Sequence, residues 1–143
     1  MSDSKPKILV VDDNLDNILM VEKMLSEIDV EIIRSLNGKD AIERAGNEEF
    51  ALVLMDVQMP GMDGFETVEQ IRKDPANQLL PIVYITAMGA QYISRIQGIR
   101  TGAVDFLTKP LDAEIFLRKV TVYINLYRQR KVLEAEINRR TEI

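Results

Sequence analysis

Short apolar runs alternate along the chain with stretches whose apolar residues recur at helical spacing. Ile8, Leu9, Val10 and Val11 form a β-branched-rich run that stops at Asp12, Asp13 and Asn14, which predicts a buried strand. Asn14 is placed to cap a helix carrying Ile18, Val21, Leu25 and Ile28 along one side. Residues 30–35 predict a second strand, Asn37-Gly38 the turn leaving it, and Ala41, Ile42 and Ala45 a short helix that ends near Gly46. The wholly apolar run 51–55 is stopped by Asp56. A loop with Pro60, Gly61 and Gly64 then leads to a helix carrying Phe65, Val68 and Ile71, which Asp74-Pro75 ends. A fourth run, 81–85, closes on Thr86-Ala87. Ile93, Ile96 and Ile99 mark a helix stopped by Gly102, and the short run 104–107 enters Thr108, Lys109 and Pro110. Asp112 caps a last helix that meets no breaker up to Ile143.

Five strands alternating with five helices, the strands too apolar for a sheet wet on one side, predict an α/β fold with a parallel sheet covered on both faces. Right-handed crossovers bring the carboxyl ends of all five strands to one edge, where open α/β sheets bind ligands. The residues that stop each apolar run therefore belong together: Asp12 and Asp13 from the first, Asp56 from the third, Thr86 and Ala87 from the fourth, and Lys109 with Pro110 from the fifth.

Composition narrows the chemistry. The 143 residues suit one domain with a short appendage, and 46% hydrophobic residues are enough for a real core. With no Cys and no His, the chain has no disulfide, no thiolate or imidazole metal site, no Ser-His or Cys-His catalysis, and no phosphohistidine of its own. A net charge of −5 disfavours non-specific binding of the whole chain to nucleic acid or an anionic membrane. The polar start and the short first apolar run offer no signal peptide or membrane span, so a cytoplasmic location is expected.

Three carboxylates, a hydroxyl and an amine are expected to converge on one patch, where the clustered carboxylates repel one another unless a cation relieves them. Oxygen donors of this kind suit Mg2+, or Mn2+. Beside a metal-held carboxylate, one ammonium and one hydroxyl make a receptor for a phosphoryl group, and the carboxylate can itself be the nucleophile. Asp56, at the end of the central strand beside the glycine-rich loop, is the best-placed nucleophile. Singly, each residue has a plainer reading. Asp12-Asp13 can be acids opening a helix, Asp56 a loop cap, Thr86 a strand-end hydroxyl bonded to backbone, and Lys109 a solvated side chain. Their joint placement at the ends of one deduced sheet favours the functional reading.

Asp12-Asp13, the segment Met55-Asp56-Val57-Gln58-Met59-Pro60-Gly61-Met62-Asp63-Gly64, Thr86-Ala87, and Phe106-Leu107-Thr108-Lys109-Pro110 together resemble the receiver domain of two-component response regulators. The resemblance covers about residues 7–126, with the motifs in order and at family spacing. It implies a (βα)5 doubly wound parallel five-stranded sheet of flavodoxin-like order 2-1-3-4-5. It implies Asp56 as phosphoacceptor and Mg2+ held by Asp13, Asp56 and the backbone carbonyl of Gln58, with Asp12 assisting through water. It implies Lys109, Thr86 and the Ala87 amide as phosphoryl-binding groups, Thr86 and Phe106 as the switch, and a cis Lys109–Pro110 bond. The switch would remodel the face formed by the fourth helix, fifth strand and fifth helix. The donor would be a histidine kinase or phosphotransfer protein, since this chain has no histidine. Such a chain catalyses only its own phosphorylation and dephosphorylation, and any enzymatic output domain lies elsewhere.

Two departures from the family pattern matter. Phe106 stands where many members carry Tyr, so a ring can move but no phenolic hydroxyl reaches a partner. Gln58 and Met88 occupy the positions, two after the acceptor and two after Thr86, that tune acyl-phosphate hydrolysis in the family. Gln58 can orient a water, whereas Met88 cannot and shields the phosphorus. Slow loss of phosphate from Asp56 is therefore expected. Replacing Met88 by a polar residue should speed the decay, and an unchanged decay rate would sink this reading. A rival class, the Asp-nucleophile phosphohydrolases of the haloacid-dehalogenase type, needs a second Asp two residues after the nucleophile, where this chain has Gln58. A degenerate receiver that only binds partners is the other alternative.

The receiver is expected to occupy residues 1–126, with 127–143 extending the last helix. From Arg128 onward there are five basic and three acidic residues and no Gly or Pro. A heptad reading puts Tyr123, Arg130 and Ile137 at one core position and Leu126, Leu133 and Arg140 at the other, a short seam. The extension reads either as a solvated helix or as a signalling helix that leads to an output domain or pairs two receivers as a homodimer. No aromatic follows Tyr127, so direct nucleic-acid binding by this basic tail is not expected. A helix running uncapped to Ile143 suggests a chain cut from a longer protein.

Overall fold

The computed structural model describes residues 5–87 and 105–141. Five parallel strands, β1 (Lys7–Val11), β2 (Glu31–Ser35), β3 (Leu52–Asp56), β4 (Ile82–Thr86) and β5 (Asp105–Thr108), lie in the order β2-β1-β3-β4-β5. Helices α1 (Leu15–Met24), α2 (Gly38–Asn47) and α3 (Gly64–Arg72) join the first four strands, and a C-terminal helix spans Ala113–Thr141. The expected helix around Ile93, Ile96 and Ile99 lies outside the described residues.

Strand alternation sorts the core into two layers. Leu9, Val11, Val53, Met55 and Tyr84 point to one face, where Ala41 and Ala45 of α2 and Phe65, Val68 and Ile71 of α3 cover them. Ile8, Val10, Leu52, Leu54, Val83 and Ile85 point to the other, covered by Ile18 and Val21 of α1 and by Phe116, Val120 and Ile124 of the C-terminal helix. β1, β3 and β4 are buried on both faces, which is why they read as unbroken apolar runs.

Several boundaries differ from the sequence expectation. Asn37 is not in a turn that leaves β2. It is the N-cap of α2, its side chain accepting from the Asp40 amide at 2.7 Å, and Gly38 is the first helical residue. Helix α1 stops at Met24, and Ile28 packs on the α1 layer from the turn beyond it. Asp74-Pro75 ends α3 as expected but also opens a single 3-10 turn, Pro75–Asn77, with Asp74 accepting from the Ala76 amide at 3.0 Å.

The C-terminal helix continues past its last buried residue, Ile124. Two contacts hold its next turns against the sheet end remote from the strand carboxyl termini. Arg128 donates to the Asp29 carbonyl at 3.0 Å, and the Lys131 ammonium lies 3.0 Å from Glu49. Tyr123, placed by the heptad reading on an outward seam, instead packs against the core and donates to Asp105 at 3.4 Å. The exposed apolar line is Ile115, Val122, Leu126, Leu133 and Ile137, spaced 7, 4, 7 and 4, which keeps it straight along an ordinary helix. No described helix is long and apolar enough to cross a membrane.

Candidate functional site

The site forms where β1, β3 and β5 end on the α1 face. Val10, Leu54 and Leu107 point into that layer, so alternation sends Asp12, Asp56 and Lys109, two residues on, to the same side. Lys109 reaches between the acids, its ammonium 3.6 Å from Asp12 Oδ2 and 3.7 Å from Asp56 Oδ1. Asp12 and Asp56 are buried, while Asp13 is exposed. One carboxylate oxygen from each of the three acids lies within 4.8 Å of the others.

Asp12 is held firmly. Its Oδ1 accepts from the Asn14 amide at 2.9 Å, and the Asn17 side-chain amide donates to Oδ2 at 3.2 Å. Asn17 is a site residue that the sequence reading missed. Its position in the first turn of α1, five residues past Asp12, was the available signal.

Asp56 is 5% exposed, and its Oδ1 accepts from the Gln58 amide at 3.3 Å. Burial pushes its carboxyl up to about 6, and the Asp12 charge adds to this. Lys109 and the Gln58 amide pull the other way without cancelling it, and Asp13 adds a smaller upward push. The cation-free cluster is thus short of positive charge. Its donors are all oxygens, the kind an octahedral Mg2+ takes, and they lie near enough to be drawn onto one ion. The three acids fit a small hard divalent cation.

The turn after Asp56 depends on Gly64. This residue opens α3, its amide bonds the Val57 carbonyl at 2.9 Å, and a Cβ there would overlap the Asp56 carbonyl oxygen and lie 2.9 Å from Val57 Cα. A capping box between Asp63 and Glu66 fixes the entry to the helix. Gly64→Ala is therefore expected to cost about 1–3 kcal/mol and to displace the strand end that carries Asp56. Gly46→Ala, in a helix with nothing within 4 Å, should cost nothing and gain up to about 1 kcal/mol. Urea unfolding of the two variants checks the contrast.

Thr86 and Phe106 stand apart from the acids. Thr86 ends β4 and is wholly buried. Alternation from Tyr84 sends its side chain to the α3 face, where Phe106, paired with Tyr84 across β4 and β5, is packed partly buried. Ala87 follows at the exposed strand end, lining a cavity together with Asp56 and Lys109. The Lys109 amide bonds the Thr86 carbonyl at 2.7 Å, and the Lys109–Pro110 bond is cis. Gln58 is exposed. Met88 lies outside the described residues.

A family model described as the response regulator receiver domain matches residues 8–121. Response regulator PleD from Caulobacter vibrioides is 39% identical over 114 residues, which covers 80% of this chain and 25% of PleD. Protein PilH from Pseudomonas aeruginosa is 33% identical over 118 residues, covering 82% of this chain and 97% of PilH. The chain thus spans about a quarter of one relative and nearly all of the other. A crystal structure of the receiver domain of a sensor histidine kinase from Pseudomonas aeruginosa PAO1, described with a magnesium ion coordinated in its active-site cleft, superposes with a TM-score of 0.76 at 26% identity. That superposition covers 86% of this chain and 99% of the other.

Proposed function

The chain belongs to the response regulator receiver domain family, modules of two-component phosphorelay signalling, and from that premise we propose that it is a switch set by phosphorylation of Asp56. The observation that carries this reading is the Asp56 carboxylate, buried at a strand end with Lys109 3.7 Å away and two further acids beside it. Receiver domains take phosphoryl groups from histidine kinases or phosphotransfer proteins, and the absence of histidine here means that any phosphohistidine donor belongs to another chain or domain.

One carboxylate oxygen of Asp56 attacks the phosphorus of a phosphohistidine on the side opposite the P–N bond. That bond breaks with its electron pair going to the imidazole nitrogen, and an aspartyl phosphate remains. Lys109 neutralises the transferring oxygens as a point charge, and the Thr86 hydroxyl and Ala87 amide supply hydrogen bonds to them. Asp12, Asp13 and Asp56, with the Gln58 carbonyl, would hold Mg2+ (or Mn2+). When bound, the ion supplies charge neutralisation at the phosphoryl oxygens.

Once Asp56 is phosphorylated, the Thr86 hydroxyl has a reason to leave the α3 face for the phosphoryl group, freeing space into which the Phe106 ring turns. Their shared face, opposite the acids, supports that coupling. The state then passes through β5 and the C-terminal helix, whose exposed apolar line offers a surface to an output domain or to a second copy in a homodimer. A phosphohydrolase reading is weakened by Gln58 standing where a general acid is needed. A purely binding receiver is weakened by the completeness of the charged cluster. Incubation with a phosphorylated histidine kinase should move its label to this chain, and to no degree to Asp56→Asn. Retention of the label by the kinase in both cases would overturn the proposal.

A further inference from the structure

Directly beneath the acids, between α1 and the segment joining β5 to the C-terminal helix, lies a cavity of about 430 Å3. Its walls are apolar: Val10, Leu54 and Ile85 from the sheet, Val21 from α1 and Leu111 from the connecting segment. Its polar groups gather at one end, where Asp12, Asn17, Asp56 and Lys109 line it. The cavity is a cleft open on one side, where Met20 and Pro110 are exposed, and a largely apolar cleft with a few convergent polar groups is the usual form of a small-molecule site. Its volume equals roughly fourteen waters at about 30 Å3 each, yet apolar walls give water few partners.

The charge at the polar end selects the ligand. Asp12, Asp13 and Asp56 cluster there, and Lys109 is the only described cation paired with them. A carboxylate or phosphate head with an apolar tail would meet net negative charge, and an alcohol would leave that charge unrelieved. An ammonium or amidinium head gains charge-assisted hydrogen bonds from Asp12 and Asp56, while an apolar body of about ten heavy atoms fills the space below. We propose that the cavity beside Asp56 is a binding site for a small apolar organic cation, which occupies the acceptor's own carboxylate. The inference concerns the site of the phosphorylation reading but stands on the cavity and its charge. A chain that bound the amine and took no phosphoryl group would keep this inference and lose that reading, and the converse result would do the reverse.

The test measures binding to the full chain in EDTA by calorimetry at pH 7.5. The probe is 4-phenylbutylamine, with 4-phenylbutanol and 5-phenylvalerate as the neutral and anionic counterparts. The amine is expected to bind saturably and at least tenfold more tightly than either counterpart. Asp12→Asn should weaken it about tenfold. Val21→Phe and Leu111→Trp, which fill the cavity from opposite walls, should each weaken it by a similar factor, with a thermal melt of each variant confirming that it folds. Undetectable amine binding, equal binding of amine and carboxylate, or unchanged affinity in the folded cavity-filling variants would overturn the proposal.

Discussion

Asp56→Asn is expected to stabilise the cation-free protein at pH 7.5 by up to about 3 kcal/mol, a rise in melting temperature of roughly 5–10 °C. The Asp56 carboxyl is pushed up to about 6 in the fold against an ordinary 3.8, chiefly because it is buried and secondarily because Asp12 is beside it. A folded-state value above the unfolded one means that the fold prefers the protonated acid. The contribution of this group to stability is therefore intact below about pH 4 and lost as pH rises through 6. Asparagine keeps the shape and does not titrate. The gap between variant and parent should thus be small at pH 4, open between pH 4 and 6, and stay level above that. Thermal melts in EDTA across pH 4–8 measure it. A gap that narrows with rising pH would contradict the electrostatic account. Adding Mg2+ should raise the melting temperature of the parent more than that of the variant, since a ligand of the folded state stabilises it more the tighter it binds at a given concentration.

Lys109→Met is expected to move two properties of the site in opposite directions. The ammonium lies 3.6 Å from Asp12 and 3.7 Å from Asp56 and is 30% exposed, so it is the cation already sharing the acids. Without it, a divalent ion meets less repulsion, and its affinity should rise several-fold. Phosphoryl uptake should nevertheless fall by about 10²–10³-fold, the usual loss on removing a charged group aimed at a transferring oxyanion. Titration with Mn2+ followed by paramagnetic relaxation reads the first effect, and the initial rate of phosphoryl uptake at saturating metal reads the second. A drop in both would mean that Lys109 organises the acids rather than meeting the phosphoryl group.

The sheet and the positions of its acids were legible because β1, β3 and β4 are buried on both faces, so their sequences are unbroken apolar runs with abrupt polar ends. Those ends were read one residue early at β3 and β4. Asp56 and Thr86 still pair with neighbouring strands, Asp56 with Ile85 and Thr86 with Thr108, and a polar residue that finishes a ladder looks like the first residue after it. Asn17 was legible only through its spacing, since its role comes from the first turn of α1 folding back over Asp12. Gly64 reads as one more loop glycine until the approach of α3 to the Asp56 carbonyl is seen. On the C-terminal helix, a heptad template took Tyr123 for the seam because spacing alone does not reveal that its ring is held by the core and its hydroxyl by Asp105.

The central claim is that Asp56 takes up one phosphoryl group in a reaction that needs a divalent cation. Intact mass after incubation with acetyl phosphate and Mg2+ tests it most directly, with Asp56→Asn and an EDTA sample alongside. The account predicts the mass of one added phosphoryl group on the parent, and no addition in either control. An equal gain in Asp56→Asn would contradict the assignment of the acceptor, and an equal gain in EDTA would contradict the role given to the acidic cluster.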